Sequence, residues 1–233
     1  MTKKPWRTKG KEERTIRSES EDRPGANTSI DQLESTTPGL IPQSTGKLLR
    51  ARYTAATVFV DHFSNFTYVH LMTSLDGEQT MAAKEAYEQF TQTFGVSVRG
   101  YRADNGRFAD KTWRNDCAEQ HQELTFCGVG AHHQNGIAEK RIRDLCEGAR
   151  TSLLHAMQRW PEAASSNLWP FALKNECEIA NKVKLKGGTS AEEKFARVKH
   201  KTKLEYFHPF GCPVFVLDAA LQGGVSKVPR WDL

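Results

Sequence analysis

The sequence lacks the features that mark membrane-spanning, secreted and zinc-finger proteins. No apolar run approaches the ~18–20 consecutive residues that a bilayer span requires. The opening stretch, MTKKPWRTKGKEER, has no apolar segment of the kind found in signal peptides, so we do not expect a secreted protein. The five cysteines are odd in number and form no C-x-x-C pair, which argues against a zinc finger and a disulfide framework. A reducing compartment is therefore expected.

Apolar residues are also scarce. Hydrophobic residues make up 38% of the chain and charged residues 26%, and the mean hydropathy is −0.62, so part of the length is expected not to pack into a core. The charged segment 1–27, which is almost free of aliphatic residues and includes Pro24-Gly25, fits that expectation. We predict a flexible or disordered tail over residues 1–27.

The charge is moderately positive and unevenly distributed. The formal net charge is +5, and residues 182–203 hold eight Lys and Arg residues against only Glu192 and Glu193. Clustered positive charge favours a polyanionic partner, because phosphate contacts release counterions. An ordinary solvated basic face explains the same cluster equally well.

Hydrophobic periodicity predicts the element order β-β-β-α-β-α-β-α-α, which is a mixed sheet flanked by helices. The strands are expected at Thr28–Leu33, Thr54–Phe63, Phe66–Met72, Val96–Ala103 and Leu124–Cys127. The turn signals in Thr36–Gly39 should come after the end of the first strand. A helix with the stripe Ala83, Tyr87, Phe90 and Phe94 should precede the fourth strand, and long helices are expected from about Asn135 and over Leu168–Val183.

Three carboxylates sit where these elements begin or end. Asp31 lies on the first strand, Asp104 ends the fourth, and Glu139 lies in the first turn of the long helix. Two-metal phosphoryl transfer needs such carboxylates to converge on a pair of hard cations. Each acid also has a simple structural explanation, as a turn cap, as part of an Asp-Asn-Gly turn, or as an acid that stabilises the helix dipole.

The order and surroundings of these acids resemble a known family. The strand aspartate is followed by A-D-N-G-R-F and then by H-H-Q-N-G-I-A-E-K-R-I-R, which resembles the catalytic core of copia-type retrotransposon integrases over residues 28–185. Residues 186–233 look like a basic linker and the truncated start of a β-rich C-terminal module, as in HPFGCPVFVLD. The zinc module that usually precedes such cores is absent from this sequence.

The resemblance implies an RNase H-like fold, an α/β architecture with a mixed five-stranded sheet. It implies that Asp31, Asp104 and Glu139 are catalytic and hold two Mg²⁺ or Mn²⁺ ions. The implied reactions are 3′-end processing and DNA strand transfer, with element ends and target DNA as partners. A homo-oligomer located in the nucleus or in a cytoplasmic virus-like particle is also implied.

Two positions depart from a simple assignment. Asp61, in VFVDHF, is an alternative first aspartate, although the family pattern places that acid on the leading strand and so favours Asp31. The spacing from Asp104 to Glu139 leaves 34 intervening residues, one fewer than the family usually has. The glycine-rich loop before Gln134 contains His132 and His133, which we interpret as polar loop residues rather than metal ligands.

Basic side chains near Glu139 are candidates for DNA contacts. Arg143 and Arg150 fall near one face of the long helix with Glu139, and Lys140 is adjacent. Together with Asn135 they are predicted to bind DNA, although a solvated face with i,i+4 pairing would look the same. Two other functions fit the sequence: a metal-dependent nuclease of the same fold, and a catalytically decayed fragment that only binds nucleic acid.

Overall fold

The structure is a computed structural model that describes residues 23–43, 49–104, 106–127, 135–184, 188–199 and 207–214. Within them the strands are β1 (Thr28–Gly39), β2 (Tyr53–Asp61), β3 (Thr67–Met72), β4 (Gly100–Ala103) and β5 (Glu123–Phe126). The α-helices are α1 (Gly77–Gln92), α2 (Lys111–Glu119), α3 (Gly136–Arg159), α4 (Trp169–Lys182) and α5 (Ala191–Ala196). The predicted element order is confirmed, and α5 is added to it.

The five strands form one mixed sheet in the order β3-β2-β1-β4-β5. The first three strands are an antiparallel meander, whereas β4 pairs parallel to β1 and β5 pairs parallel to β4. The helical crossovers through α1 and α2 make this parallel pairing possible. The predicted mixed five-stranded sheet flanked by helices is confirmed.

Helices cover both faces of the sheet. On one face Ile30, Phe59 and Tyr101 belong to a buried cluster with Tyr87 of α1 and Trp113 of α2. On the other face the neighbouring strand residues, such as Val58 and Val60, pack with α3 and α4. Because successive strand residues point to opposite faces, Asp31 lies on the α3 side, opposite Val58 in the β1–β2 register.

The long helix follows the predicted apolar stripe. Ala138, Leu145, Ala149 and Leu153 are buried and Ile142 packs against the same cluster. Gly95, which was predicted to end α1, adopts the left-handed conformation at φ +69°, where its backbone N–H bonds to the Gln92 carbonyl. No helix in the described ranges combines the length and apolar character that a membrane crossing requires.

The first strand is longer than predicted, and the expected turn at Thr36–Gly39 is wrong. β1 continues through these residues to Gly39, beyond the part of it that pairs regularly with β2. Its carbonyl at Thr37 accepts a 2.8 Å bond from the Trp169 indole, and Gly39 packs so closely that an added Cβ would lie 2.3 Å from Pro170. These long-range contacts with the start of α4 extend the strand despite its turn-forming residues.

The fourth strand is shorter than predicted. Val96–Arg99 is not a strand, although Val96 and Val98 are buried. The Arg99 N–H bonds at 2.7 Å to the carbonyl of Gly25, which precedes β1, and the Arg99 carbonyl accepts a 2.8 Å bond from the Glu123 N–H. Regular pairing with β1 begins only at Tyr101.

Several predictions fall outside the described residues. They concern residues 1–22, Asn105, the loop 128–134 with His132 and His133, and residues 215–233. The segment 207–214 is described and contains a turn at Phe210-Gly211 but no strand. The C-terminal β-rich module thus stays a prediction.

Candidate active site

Asp31 and Asp104 follow closely on the parallel pairing of β1 with β4. The register pairs Thr28 with Tyr101 and Ser29 with Arg102. Asp31 follows Thr28, and Asp104 follows Tyr101, by three residues each. A continuation of this register would bring the two aspartates opposite each other. Neighbouring strands lie about 4.8 Å apart, so two carboxylates there can reach a common ligand.

Backbone N–H groups fix one oxygen of each carboxylate. The Gln32 N–H donates to Asp31 Oδ1 at 2.8 Å, and the Gly106 N–H donates to Asp104 Oδ1 at 3.1 Å. An added Cβ at Gly106 would lie 3.1 Å from that same oxygen, tighter than most side chains tolerate. The glycine of the Asp-Asn-Gly segment therefore lets the chain turn close beside the Asp104 carboxylate.

Glu139 lies in the first turn of α3, and the start of this helix is fixed to β1. Asn135, only 1% exposed, donates from Nδ2 to the Ile30 carbonyl at 3.0 Å. Glu139 is in the first turn of α3, and Ile30 directly precedes Asp31. The hydrogen bond thus places the helix turn that carries Glu139 beside the strand that carries Asp31.

The three acids offer only oxygen donors, which suits Mg²⁺ or Mn²⁺. The fold brings their elements to one end of the sheet. Within the described ranges, however, no three His, Cys, Asp or Glu side chains are gathered closely enough to hold a metal ion. The donor chemistry fits a divalent cation, and the metal site itself stays a prediction.

Asp61 has a different environment. It is fully buried and ends β2 opposite Thr28, three residues before Asp31 on β1. Its carboxylate accepts bonds from the Gly25 N–H at 2.8 Å, the Ser64 N–H at 2.7 Å and the Ser64 hydroxyl at 2.6 Å. Burial raises the pKa of Asp61, although the bond from the Ser64 hydroxyl opposes the shift. This environment is that of a turn-stabilising residue, and the choice of Asp31 as the first acid stays a prediction.

The predicted DNA-contacting residues divide into two groups. Lys140, Arg143 and Arg150 are exposed on α3, where they are accessible to a polyanion. Asn135 is buried against Ile30 instead. The hydrogen bond of Asn135 joins the start of α3 to β1, and a DNA contact by this residue stays a prediction.

A groove beside these residues was not predicted from the sequence. It lies between the extended half of β1 and α3 and has a volume of about 400 Å³. Leu33–Thr37 lines one wall, and Cys146 and Arg150 line the other. The groove depends on the extension of β1, which was predicted to be a turn, so no signal in the sequence marked it.

Comparison with known proteins gives matches in structure only. No family model matches the sequence, and no curated protein matches it either. A chain of the simian T-cell lymphotropic virus intasome in complex with PP2A regulatory subunit B56 gamma has a TM-score of 0.54 and 14% identity over 84% of this chain and 62% of that one. The BIV integrase catalytic core has a TM-score of 0.51 and 16% identity, covering 73% of this chain and 93% of that one. The HTLV-2 integrase catalytic core in complex with magnesium has a TM-score of 0.49 and 15% identity, covering 74% and 97% respectively.

At these identities the likeness concerns the fold. The mixed sheet, its strand order and the flanking helices account for the superposition. The chain therefore has the α/β, RNase H-like fold of retroviral integrase catalytic cores.

Proposed function

We propose that this chain is a retroelement integrase core, of the copia type, that carries out 3′-end processing and strand transfer of DNA. One observation supports the proposal: Asn135 bonds the start of α3, whose first turn bears Glu139, to the β1 residue that precedes Asp31, on the strand that pairs with β4 before Asp104. Residues 28–185 would form the core, followed by the basic linker and module of 186–233. The copia type rests on the sequence resemblance.

The chain's own residues have distinct roles in this proposal. Asp31, Asp104 and Glu139 would hold two divalent cations, which supply charge neutralisation at the phosphate and lower the pKa of the attacking hydroxyl. The backbone N–H groups of Gln32 and Gly106 orient one oxygen of each aspartate. Asn135 keeps the glutamate's helix at a fixed distance from β1.

Both proposed reactions exchange one phosphodiester bond for another bond to phosphorus. In processing, a water oxygen attacks phosphorus near the element end, and a 3′-hydroxyl is released. In strand transfer that 3′-oxygen attacks a target phosphodiester, and the target's own 3′-oxygen leaves with a proton. No covalent bond to the protein is needed, so the chain's contribution is positioning and electrostatic stabilisation.

DNA would lie along α3. Lys140, Arg143 and Arg150 are exposed on this helix, and Arg150 also lines the groove between α3 and β1. Guanidinium groups bind phosphate through paired N–H donors, so this face suits a DNA backbone. We further propose a homo-oligomer that acts in the nucleus or in a cytoplasmic virus-like particle, as the sequence resemblance implies.

The test is a joining assay with labelled element-end and target duplexes in Mg²⁺ or Mn²⁺. Wild-type protein should give both trimmed and joined products, and Asp104→Asn should give neither. The matched control is Asp110→Asn, because Asp110 is an exposed acid six residues further on whose side chain makes no cap hydrogen bond to α2. It should retain wild-type activity.

The alternatives predict different products. A nuclease of the same fold would yield trimmed DNA without joined DNA, and a decayed fragment would bind DNA and yield neither product. Asp104→Asn activity equal to that of the wild type would overturn the site assignment. The test extends to the two candidate first acids. Asp31→Asn should abolish joining activity per folded molecule, and Asp61→Asn should not.

A further inference from the structure

A pocket at the opposite end of the sheet is lined by three arginines from distant parts of the chain. Arg23 precedes β1, Arg99 precedes β4, and Arg197 follows α5, and all three line a pocket of about 260 Å³. Its other lining residues are Pro24, Phe94, Gly95, Val96, Ser97, Phe195 and Ala196. None of these described lining residues is acidic, so the local charge is positive.

Ion pairing does not explain why these arginines are grouped. All three are exposed. In the part of the chain that the structure describes, the ion pairs involve Lys84, Lys182 and Lys184 and none of these arginines. Three like charges around one pocket repel one another, and an anion bound among them would relieve that repulsion.

The three segments are held firmly to the core. The Arg99 N–H bonds to the Gly25 carbonyl at 2.7 Å, and the Ala26 N–H bonds to the Arg23 carbonyl at 3.2 Å. These bonds join the Arg23 turn to the segment before β4. The two walls of the pocket that bear Arg23 and Arg99 are therefore fixed relative to each other.

The third wall is fixed by aromatic packing. Phe195 in α5 is fully buried and stacks on Phe66 with ring centroids 4.5 Å apart, while its contact with Phe94 is edge-on at 5.8 Å. Two residues later, Arg197 ends the helix with φ +54°, a left-handed conformation that non-glycine residues rarely adopt. The packing thus places an arginine at this pocket despite its backbone cost.

We propose that this pocket binds a backbone phosphate of a second nucleic-acid segment, separate from the DNA at the carboxylates. Arg99 precedes Asp104 by five residues, which corresponds to about 16 Å along an extended strand. The pocket and the carboxylates therefore lie at opposite ends of β4, and the second segment would lie at the pocket end. A phosphodiester is favoured by the basic residues Lys194 and Lys199 that flank Arg197 in the sequence.

The test measures binding of a fluorescent DNA duplex to the full chain by anisotropy over a salt series in EDTA, where no metal-dependent chemistry takes place. The main variant is Arg197→Gly, because glycine suits φ +54° and the change should not reduce folding stability. The second variant is Arg99→Gln. The matched control is Arg159→Gln, which removes an exposed arginine in the last turn of α3, outside this pocket.

Each pocket variant should weaken DNA binding several-fold and reduce the slope of log K against log salt by about 0.9, the value for one lost phosphate contact. The control should change neither quantity. The same DNA affinity and the same salt slope in the pocket variants and the control would overturn the proposal. If a free anion were the true ligand, inorganic phosphate would raise the wild-type Tm, and Arg197→Gly would abolish that rise while leaving DNA binding unchanged. That result would also overturn the proposal.

This experiment is independent of the proposed catalysis. Loss of joining activity in Asp104→Asn says nothing about the pocket, and intact pocket binding says nothing about joining. The two proposals can therefore fail separately.

Discussion

Asn135 Nδ2 donates a 3.0 Å hydrogen bond to the main-chain carbonyl of Ile30, across 105 residues of sequence. Ile30 is followed directly by Asp31, and Asn135 lies one helical turn before Glu139. One buried side chain thus links the strand that bears the first acid to the helix that bears the last. We infer that this bond sets the spacing between the two carboxylates.

Asn135→Ala should therefore impair activity more than its loss of stability explains. It leaves the Ile30 carbonyl without its donor, which should lower the free energy of unfolding by about 1–3 kcal/mol. Joining activity per folded molecule should fall at least tenfold, as measured with the folded fraction determined by circular dichroism.

Asn181→Ala is the control for that prediction. Asn181 is also buried and binds the backbone of Thr67 through two hydrogen bonds of 2.8 and 2.7 Å. It lies on α4, and its partner Thr67 is on the edge strand β3. A similar loss of stability with normal activity per folded molecule is expected. Equal activity losses in the two variants would contradict a positioning role for Asn135.

Arg143→Ala should weaken DNA binding through the loss of a phosphate contact. Arg143 is exposed and follows Glu139 by one turn of α3. The salt slope of binding should become shallower by about 0.9, whereas Arg159→Ala, in the last turn of the same helix, should leave it unchanged. An unaltered slope in Arg143→Ala would remove this residue from the DNA-binding face.

Lys84→Met should destabilise the fold strongly. Lys84 is 1% exposed and pairs with Glu88 at 2.7 Å and Asp116 at 2.5 Å. Removing one partner of a buried ion pair costs roughly 3–5 kcal/mol, and we expect the lower end because both acids are partly exposed.

The comparison for Lys84 is Lys182→Met. Lys182 also pairs with an acid four residues away, Glu178, but this pair is more exposed. Its loss should cost less than about 1 kcal/mol. Urea denaturation curves measure both values, and similar costs would show that burial does not govern these pairs.

The stability of the fold should depend on pH through Asp61. Burial raises the pKa of Asp61 above its usual value, so the folded protein binds this proton more readily than the unfolded chain does. This contribution is complete below the unfolded pKa of about 4 and is lost as pH rises through the folded pKa. The unfolding free energy of the wild type minus that of Asp61→Asn should therefore fall as the pH rises through this range. A difference that is independent of pH would contradict the shift.

Local periodicity was enough to predict most of the elements. The alternation around Val58 and Val60 and the stripe from Ala138 to Leu153 depend only on residues within the same element. The positions of Asp31 on a strand, Asp104 after one and Glu139 in the first turn of α3 follow from the same local signals.

Contacts between distant segments could not be predicted in this way. The Trp169 indole bonds to the Thr37 carbonyl and holds this residue in an extended strand. Asn135 was interpreted as a DNA contact because nothing nearby in the sequence shows that Ile30 is its partner. Each difference comes from a tertiary hydrogen bond that overrides a local preference.

The central claim is that Asp31, Asp104 and Glu139 jointly hold divalent cations. Anomalous diffraction from crystals soaked in Mn²⁺ tests it most directly. We expect two manganese peaks at the end of β1 and β4, with Asp31 shared between the ions and Asp104 and Glu139 each bound to one. Manganese bound only elsewhere, or no manganese at these carboxylates at millimolar concentration, would contradict the claim.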